Sequence, residues 1–323
     1  MIITKTPLRL EFLGGSTDIK NFYQRSPGRV LNMAIDASIY IIIHPRSDEF
    51  LRLVYEDMEY VDHVKNVSHS RTRAALGLFK ITNGLDIIST SSVSARGSGL
   101  GASSSFTVGL VHALGALKKK NLSPLDLAEL AAHIEIDILK EPIGKQDQYA
   151  AAFGGLNAYT FNKTGSVRVA PVAMSHKKLS EFMKHVIVFG TGKGHSASGI
   201  LKDQHKQFRA NFPKLKEMAA QVPLAVHCFE TGDWKGFGEI LSREWEIKKT
   251  LSRGITNKRI EAMREGARVA GAWGSRMSGA GGGGFLIVIA SPNKHAAIRH
   301  ALRGYPTFPV MPAQSGSSII FSE

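Results

Sequence analysis

Residues 96–105 read Arg-Gly-Ser-Gly-Leu-Gly-Ala-Ser-Ser-Ser, with three glycines at alternate positions and then three consecutive hydroxyls. This composition suits a phosphate cradle. Glycines without Cβ let successive N–H groups face one anion, and a helix beginning near Ser103 would bring its positive end to the same point. The candidate cradle is Arg96, Gly97, Ser98, Gly99, Leu100, Gly101, Ala102, Ser103 and Ser104. Its serines can donate to phosphate oxygens or help hold a metal.

Two better-known phosphate motifs fail on this chain. A P-loop needs Gly, four residues, then Gly-Lys-Ser/Thr; around Gly192-Lys193 the first glycine is Ile187 and the hydroxyl is Gly194. Residues 97–102 satisfy the looser dinucleotide pattern, but the preceding Ser89-Thr90-Ser91-Ser92-Val93-Ser94 is not the buried apolar strand that such a site requires.

The elements that must position the cradle follow from periodicity and turn residues. Residues 1–9 read as a strand entering a glycine-containing loop through Gly14, Gly15, Thr17 and Asp18. Apolar, β-branched runs at 30–35, 38–43, 51–55 and 59–62 continue the strand pattern, and 71–82 is helical up to Gly84. A strand at 85–93 feeds the cradle, and a helix leaves it towards residue 120. Ser123-Pro124 with Asp126 is a capped helix start, and this helix runs to about 140. Residues 145–153 form a short helix stopped by Gly154-Gly155, with strands at 156–161 and 166–172. Polar, basic residues 175–180 read as a linker. A strand at 185–189 follows, then helices at 196–211, 213–230, 233–251 and 257–270. Strands at 274–278 and 285–290, a helix at 293–302, and strands at 308–311 and 318–321 complete the chain. The pattern is α+β. At 323 residues the chain exceeds the roughly 250–300 at which a single core stops growing, so two domains are expected, 1–175 and 176–323.

Hydrophobic residues make up 43% and charged residues 21%, an ordinary globular balance that argues against disorder. Cys228 is the only cysteine, which excludes a disulfide framework or thiolate metal cluster and favours a reducing compartment. The first residues lack a signal-peptide core and no later run could span a bilayer, so the expectation is a cytoplasmic protein with no membrane partner. The formal charge of +14 raises nucleic acid as a partner. The basic residues are scattered, however, and Lys118-Lys119-Lys120 closes a helical pattern, where cations complement the helix dipole. With no basic run interleaved with aromatics, no nucleic-acid partner is expected, and the charge suits anionic small molecules.

Three stretches, in order, resemble the motifs of the GHMP kinases, named for galactokinase, homoserine kinase, mevalonate kinase and phosphomevalonate kinase. Residues 7–18, Pro-Leu-Arg-Leu-Glu-Phe-Leu-Gly-Gly-Ser-Thr-Asp, are similar to the first motif in its sugar-kinase form, and residues 28–35 to the stretch that follows it. Residues 97–105 resemble the second motif, the ATP loop; residues 276–285, Arg-Met-Ser-Gly-Ala-Gly-Gly-Gly-Gly-Phe, resemble the third. Residues 144–148, Gly-Lys-Gln-Asp-Gln, also match the sugar-kinase form.

The resemblance implies an α+β, two-domain GHMP kinase fold. Its N-terminal part would be ribosomal S5 domain 2-like and its C-terminal part ferredoxin-like, with ATP and acceptor meeting between them. It implies that Asp147 accepts the proton of the attacking hydroxyl and that Arg9 polarises that hydroxyl and supports transition-state charge. Mg2+ would be held by Glu135 and by Ser103 or Ser104, because Ala102 stands where many members place the first serine. Glu135 and Asp137, two apart on a helix, diverge, so one of them should be solvated. Gly14, Gly15, Thr17, Asp18, Gly281 and Gly282 would meet the acceptor.

Galactokinases carry Glu-His where this chain has Gly15-Ser16, and the Gly-Gly-Ser-Thr-Asp form most resembles the D-glycero-D-manno-heptose 7-phosphate kinase branch, whose members phosphorylate the anomeric hydroxyl. An L-fucokinase-like or galactokinase-like sugar kinase is the second reading, and a basic nucleic-acid-binding protein of related fold the third. Arg29, Lys145 and Lys193, each beside glycines, are candidates for holding an acceptor phosphate, and Lys193 is placed among the acceptor-binding residues. ATP and Mg2+ are the expected cofactors and a small-molecule sugar phosphate the expected partner; oligomeric state stays open.

Overall fold

The computed structural model describes residues 1–93, 98–192 and 197–323. In chain order its elements are β1 (Ile2–Leu13), α1 (Lys20–Tyr23), β2 (Gly28–Pro45), β3 (Leu51–Val54), β4 (Met58–Val61), α2 (Ser70–Leu78), β5 (Leu85–Ser91) and α3 (Ala102–Leu117). There follow α4 (Pro124–Ala132), α5 (Gln146–Phe153), β6 (Leu156–Phe161), β7 (Val167–Pro171), α6 (His176–Met183) and β8 (Val186–Gly190). Helices α7 (Ala197–Lys206), α8 (Phe208–Thr231), α9 (Trp234–Lys248) and α10 (Lys258–Val269) precede β9 (Ala272–Met277), β10 (Phe285–Ala290), α11 (His295–Ala301), β11 (Thr307–Phe308) and β12 (Ser318–Ser322).

These elements build two sheets. The larger has the order β12-β1-β2-β5-β3-β4, with β6 joined to β2 and β7 to β6; the smaller is β11-β8-β10-β9. The two expected strands at 30–35 and 38–43 are one long ribbon, β2. Pro7 pairs with Ser38 while Leu8 pairs with Ile35, so Asp36 and Ala37 form a bulge that bends the ribbon. Its first part then pairs with β6 and its second with β5. Strand β1 is buried on both faces from Thr6 onward, because helix α3 covers one face and the C-terminal elements close on its far end. Close packing of α3 needs Gly109, where a Cβ would stand 2.7 Å from Thr6 Oγ1.

Several boundaries differ from the expectations. The linker at 175–180 is instead the start of α6, capped by Ser175, whose side chain accepts from the Lys178 N–H at 3.2 Å. Leu179, Phe182 and Met183 pack that helix on the core, an apolar spacing that lies mostly beyond the polar window. Helix α8 runs through Pro213 instead of starting there. An interior proline costs about 3 kcal/mol. Burial of Leu215, Met218, Val222 and Phe229 on the same helix offsets this at about 1.5–3 kcal/mol each. The helix starting at Ser123 has the full capping box with Asp126, but it changes to a π-helix over His133–Ile138. Finally, β12 returns from the C-terminus to pair with β1, so the larger sheet draws on both ends of the chain. Among the described residues no helix is long and apolar enough to cross a membrane.

Candidate active site

A cavity of about 920 Å³ opens where the N-terminal ends of α3 and α5 meet the loops after β1 and β9. Its wall includes Arg9, Asp18, Ser98, Gly99, Gly101, Ala102, Ser103, Ser104, Asp147 and Gly281. Residues separated by nearly the whole chain thus share one space. Arg96, Gly97 and Lys193 lie outside the described residues.

The cradle begins α3 as its spacing requires. Gly101, at φ +75°, is the residue before the helix, and the hydroxyls of Ser103 and Ser104 follow in the first turn. Gly99 and Gly279 touch across the molecule: a Cβ on Gly99 would stand 2.7 Å from the Ser278 carbonyl oxygen, and one on Gly279 2.7 Å from the Gly99 oxygen. Both have positive φ. The second and third glycine stretches are therefore backbone neighbours, a contact that side chains would forbid.

Arg9 and Asp147 form a fork. Arg9 Nε donates to Asp147 Oδ1 and Nη2 to Oδ2, both at 2.8 Å, while Nη1 donates to the Gly99 carbonyl at 2.5 Å. One guanidinium thus orients the carboxylate and holds the cradle. Burial raises the Asp147 pKa above the ordinary carboxylate range; Arg9 opposes this, and nearby Glu11 adds to it. Asp18 accepts from the Gln146 N–H at 3.0 Å and the Ser16 N–H at 3.1 Å. Its burial, with Asp147 and Glu11 nearby, pushes its pKa up to about 7.

Glu135, in the π-helical segment, is fully buried, whereas Asp137 is exposed and paired with His133. The expected divergence of the two acids is observed. Glu135 accepts from Ser104 Oγ and Thr107 Oγ1, each at 2.7 Å, from Arg71 Nε at 2.9 Å, and from Gln148. Mg2+ takes oxygen ligands, and Ser104 Oγ and Glu135 Oε2, hydrogen-bonded at 2.7 Å, are two oxygens of that kind side by side. Ser103 lines the cavity, and no bond from its hydroxyl to Glu135 accompanies that of Ser104.

The remaining sequence candidates separate. Gly14, Gly15, Thr17 and Gly282 are not among the residues that line the cavity. Thr17 Oγ1 bonds the carbonyls of Gly14 and Arg29, and Gly282 N–H donates to the Ile255 carbonyl at 2.7 Å. Lys145 faces a different cavity and pairs with Glu129 at 2.9 Å. Arg29 is also absent from the active-site wall.

Periodicity did not single out a buried charge quartet beside the site. Lys248 Nζ and Arg276 Nη2 reach the same oxygen of Glu11 at 2.5 and 2.6 Å, and Arg276 Nη1 pairs with Glu244. Burial opposes charge on Glu11, yet Lys248, Arg276 and Arg9 hold its pKa at about 2. Burial raises the Glu244 pKa against the pull of Arg276, and lowers that of Lys248 against Glu11. One signal was available: Leu241, Glu244, Trp245 and Lys248 share a face of α9, so two charges occupy core positions. The other unforeseen wall is aromatic. Tyr55, His69 and Phe106 line one end of the cavity, with ring centroids 4.8 and 4.9 Å apart along the series.

Comparison with known proteins identifies the family. The family model for the GHMP kinases N terminal domain matches residues 62–155, and that for GHMP kinases C terminal matches residues 225–306. D-glycero-alpha-D-manno-heptose 7-phosphate kinase of Campylobacter jejuni is 30% identical over 317 residues, covering 94% of this chain and 93% of that protein. Galactokinase of Pyrococcus furiosus is 24% identical, covering 93% and 92%. The solved structure of a D-glycero-D-manno-heptose 1-phosphate kinase from Bacteriodes thetaiotaomicron superposes with a TM-score of 0.82 at 22% identity, covering 100% of both chains.

Proposed function

The chain belongs to the GHMP kinase family, and from that premise we propose that it uses ATP to phosphorylate the anomeric hydroxyl of D-glycero-D-manno-heptose 7-phosphate, giving the 1,7-bisphosphate. It is a phosphotransferase with an alcohol group as acceptor. The observation that carries the reading is the single cavity joining the glycine cradle, the Arg9–Asp147 fork and Asp18. The relative of 30% identity supports the choice of sugar. We take 1–175 and 176–323 as the two kinase domains, on the division into two sheets, with β12 added back to the first.

Asp147 accepts the proton of the attacking hydroxyl, and Arg9 fixes the plane of its carboxylate through two hydrogen bonds, so little reorientation is needed as the phosphoryl group transfers. The cradle and the start of α3 would hold the triphosphate, with the positive end of the helix favouring its charge. Ser104 and Glu135 would hold Mg2+, which when bound would supply charge neutralisation on the phosphate oxygens. Tyr55, His69 and Phe106, whose rings are tilted to one another, offer an aromatic wall against which a purine can pack. Asp18 hydrogen-bonds acceptor hydroxyls, and in its neutral form it can donate as well as accept.

One observation favours the second reading, a galactokinase-like or L-fucokinase-like kinase of unphosphorylated sugars. Arg9, Arg71 and Lys248, cations on the described wall, are each paired with a carboxylate. A panel of sugars and sugar phosphates with coupled ADP detection decides between them. The heptose phosphate reading expects kcat/KM for heptose 7-phosphate at least about tenfold above free heptose, as losing a charge-assisted contact is worth on the order of 1.5–3 kcal/mol. Equal efficiency on both would defeat it.

A further inference from the structure

Ser16 holds φ at +78°, in the left-handed region that favours glycine, and is only 7% exposed. Among the described residues the other non-glycine positive φ angles, at Lys80, Lys119 and Lys140, fall just past the ends of helical segments. Ser16 instead borders the active-site cavity. A side chain stays in such a conformation only where its surroundings over-determine it, and such strain clusters at functional sites.

Two bonds hold Ser16. Its N–H donates to Asp18 Oδ1 at 3.1 Å, and its hydroxyl donates to Oε1 of buried Gln204 on α7 at 2.9 Å. Helix α7 also places Leu201 on the cavity wall. Its Asp203 accepts from Ser252 Oγ at 2.6 Å, and the segment beginning there carries Ile255, whose carbonyl accepts from Gly282 N–H at 2.7 Å. Helix α7 is thus tied both to the Asp18 loop and to the third glycine stretch. The amide nitrogen of Gln204 is buried without a partner, so Ser16 satisfies only the oxygen half of that amide.

We propose that the Ser16–Gln204 hydrogen bond is a latch holding α7 against the acceptor end of the cavity, and that it sets acceptor affinity; this rests on the sugar-kinase reading above. Ser16 is a positioning residue that acts through α7 and the Asp18 carboxylate. Glycine at this position would accept the backbone angle without strain but could not reach Gln204. Alanine would keep the strain and lose the bond.

The test is initial-rate kinetics on D-glycero-D-manno-heptose 7-phosphate, or on a free sugar if wild type prefers one, for Ser16→Gly, Ser16→Ala, Gln204→Leu and the Ser16→Gly/Gln204→Leu pair. Each single variant should raise the acceptor KM about tenfold while the ATP KM and kcat stay within about threefold. The double variant should be no worse than either single one, because both remove the same bond. Ser16→Gly should melt no lower than wild type, which separates the effect from general unfolding. Unchanged acceptor KM, single effects that multiply in the double variant, or an ATP KM that rises in step would each overturn the latch. If Ser16→Gly does not fold, Gln204→Leu against wild type carries the same comparison, since it replaces a half-paired amide by an apolar side chain of similar size. Wild type inactive on every sugar overturns the proposed function and the latch together. Turnover with unaltered KM values in the variants overturns the latch alone.

Discussion

Asp147 and Asp18 lie close together, yet their surroundings prepare them for different work. Asp147 is gripped by Arg9, which keeps it aligned, while burial raises its proton affinity, a setting that suits a base. Asp147→Asn keeps the shape without the basicity, so kcat should fall by roughly 10²- to 10⁴-fold, with binding of a nonhydrolysable ATP analogue nearly unchanged in calorimetry. Near-normal turnover would remove Asp147 from the mechanism. Asp18 has a folded pKa of about 7 against an ordinary value of 3.8, so the folded protein binds its proton more tightly than the unfolded chain does. Stability from this group is therefore present at acid pH and is lost as pH rises from about 4 through 7. Asp18→Asn does not titrate, and its melting temperature relative to wild type should climb across that interval. Parallel melting curves at every pH would show that Asp18 carries no such shift.

At the scale of elements, the cradle depends on the loop it touches as well as on its own turn. Gly99 faces the Ser278 carbonyl at φ +71°, so Gly99→Val would strain the backbone and push the second and third glycine stretches apart. The expected outcome is loss of ATP-analogue binding together with a lower melting temperature; unaltered calorimetric affinity in a folded variant would make the loop purely structural. The π-helical turn after α4 is the other such element. The extra residue per turn is associated with a buried Glu135 beside Ser104 and an exposed Asp137, and π turns recur at functional sites. Ser104→Ala removes one of two proposed Mg2+ oxygens. It should raise the Mg2+ concentration needed for half-maximal rate about tenfold or more, which a metal titration at fixed ATP reads directly.

Across the whole molecule, the Glu11–Lys248–Arg276–Glu244 quartet ties β1 of the larger sheet to α9 and to β9 of the smaller one, with every member at most 2% exposed. Opposed charges cancel within the quartet, so no single member can be removed without leaving an uncompensated one. Lys248→Met should cost about 3–5 kcal/mol in denaturant unfolding. A loss below about 1 kcal/mol would mean that the quartet is not closed in the folded protein. Because the cavity lies against this junction, an ATP analogue with Mg2+ that binds only the folded protein should stabilise it by about 2.7 kcal/mol at a hundred times its Kd.

What the sequence determined alone was local. Glycine spacing and the following apolar helix placed the cradle, Ser123-Pro124-Asp126 announced a capped helix, and 156–161 and 285–290 read as strands with the observed limits. Turn, cap and periodicity signals act between residues a few positions apart, so a linear reading contains them. The joining of β2 into one bent ribbon, the passage of α8 through Pro213 and the helical identity of 176–183 depended on burial against distant elements. The site divided in the same way. Asp147, Arg9, Asp18 and the glycines were named from motifs, but only the tertiary structure paired Arg9 with Asp147, turned Lys145 towards another cavity and left Thr17 out of the cavity lining. It also brought Glu11 against Lys248 and Arg276, more than two hundred positions away. Periodicity reports which face of an element is apolar; which charge that face meets is set by chain topology, because opposite charges are held together only after the sheets have packed.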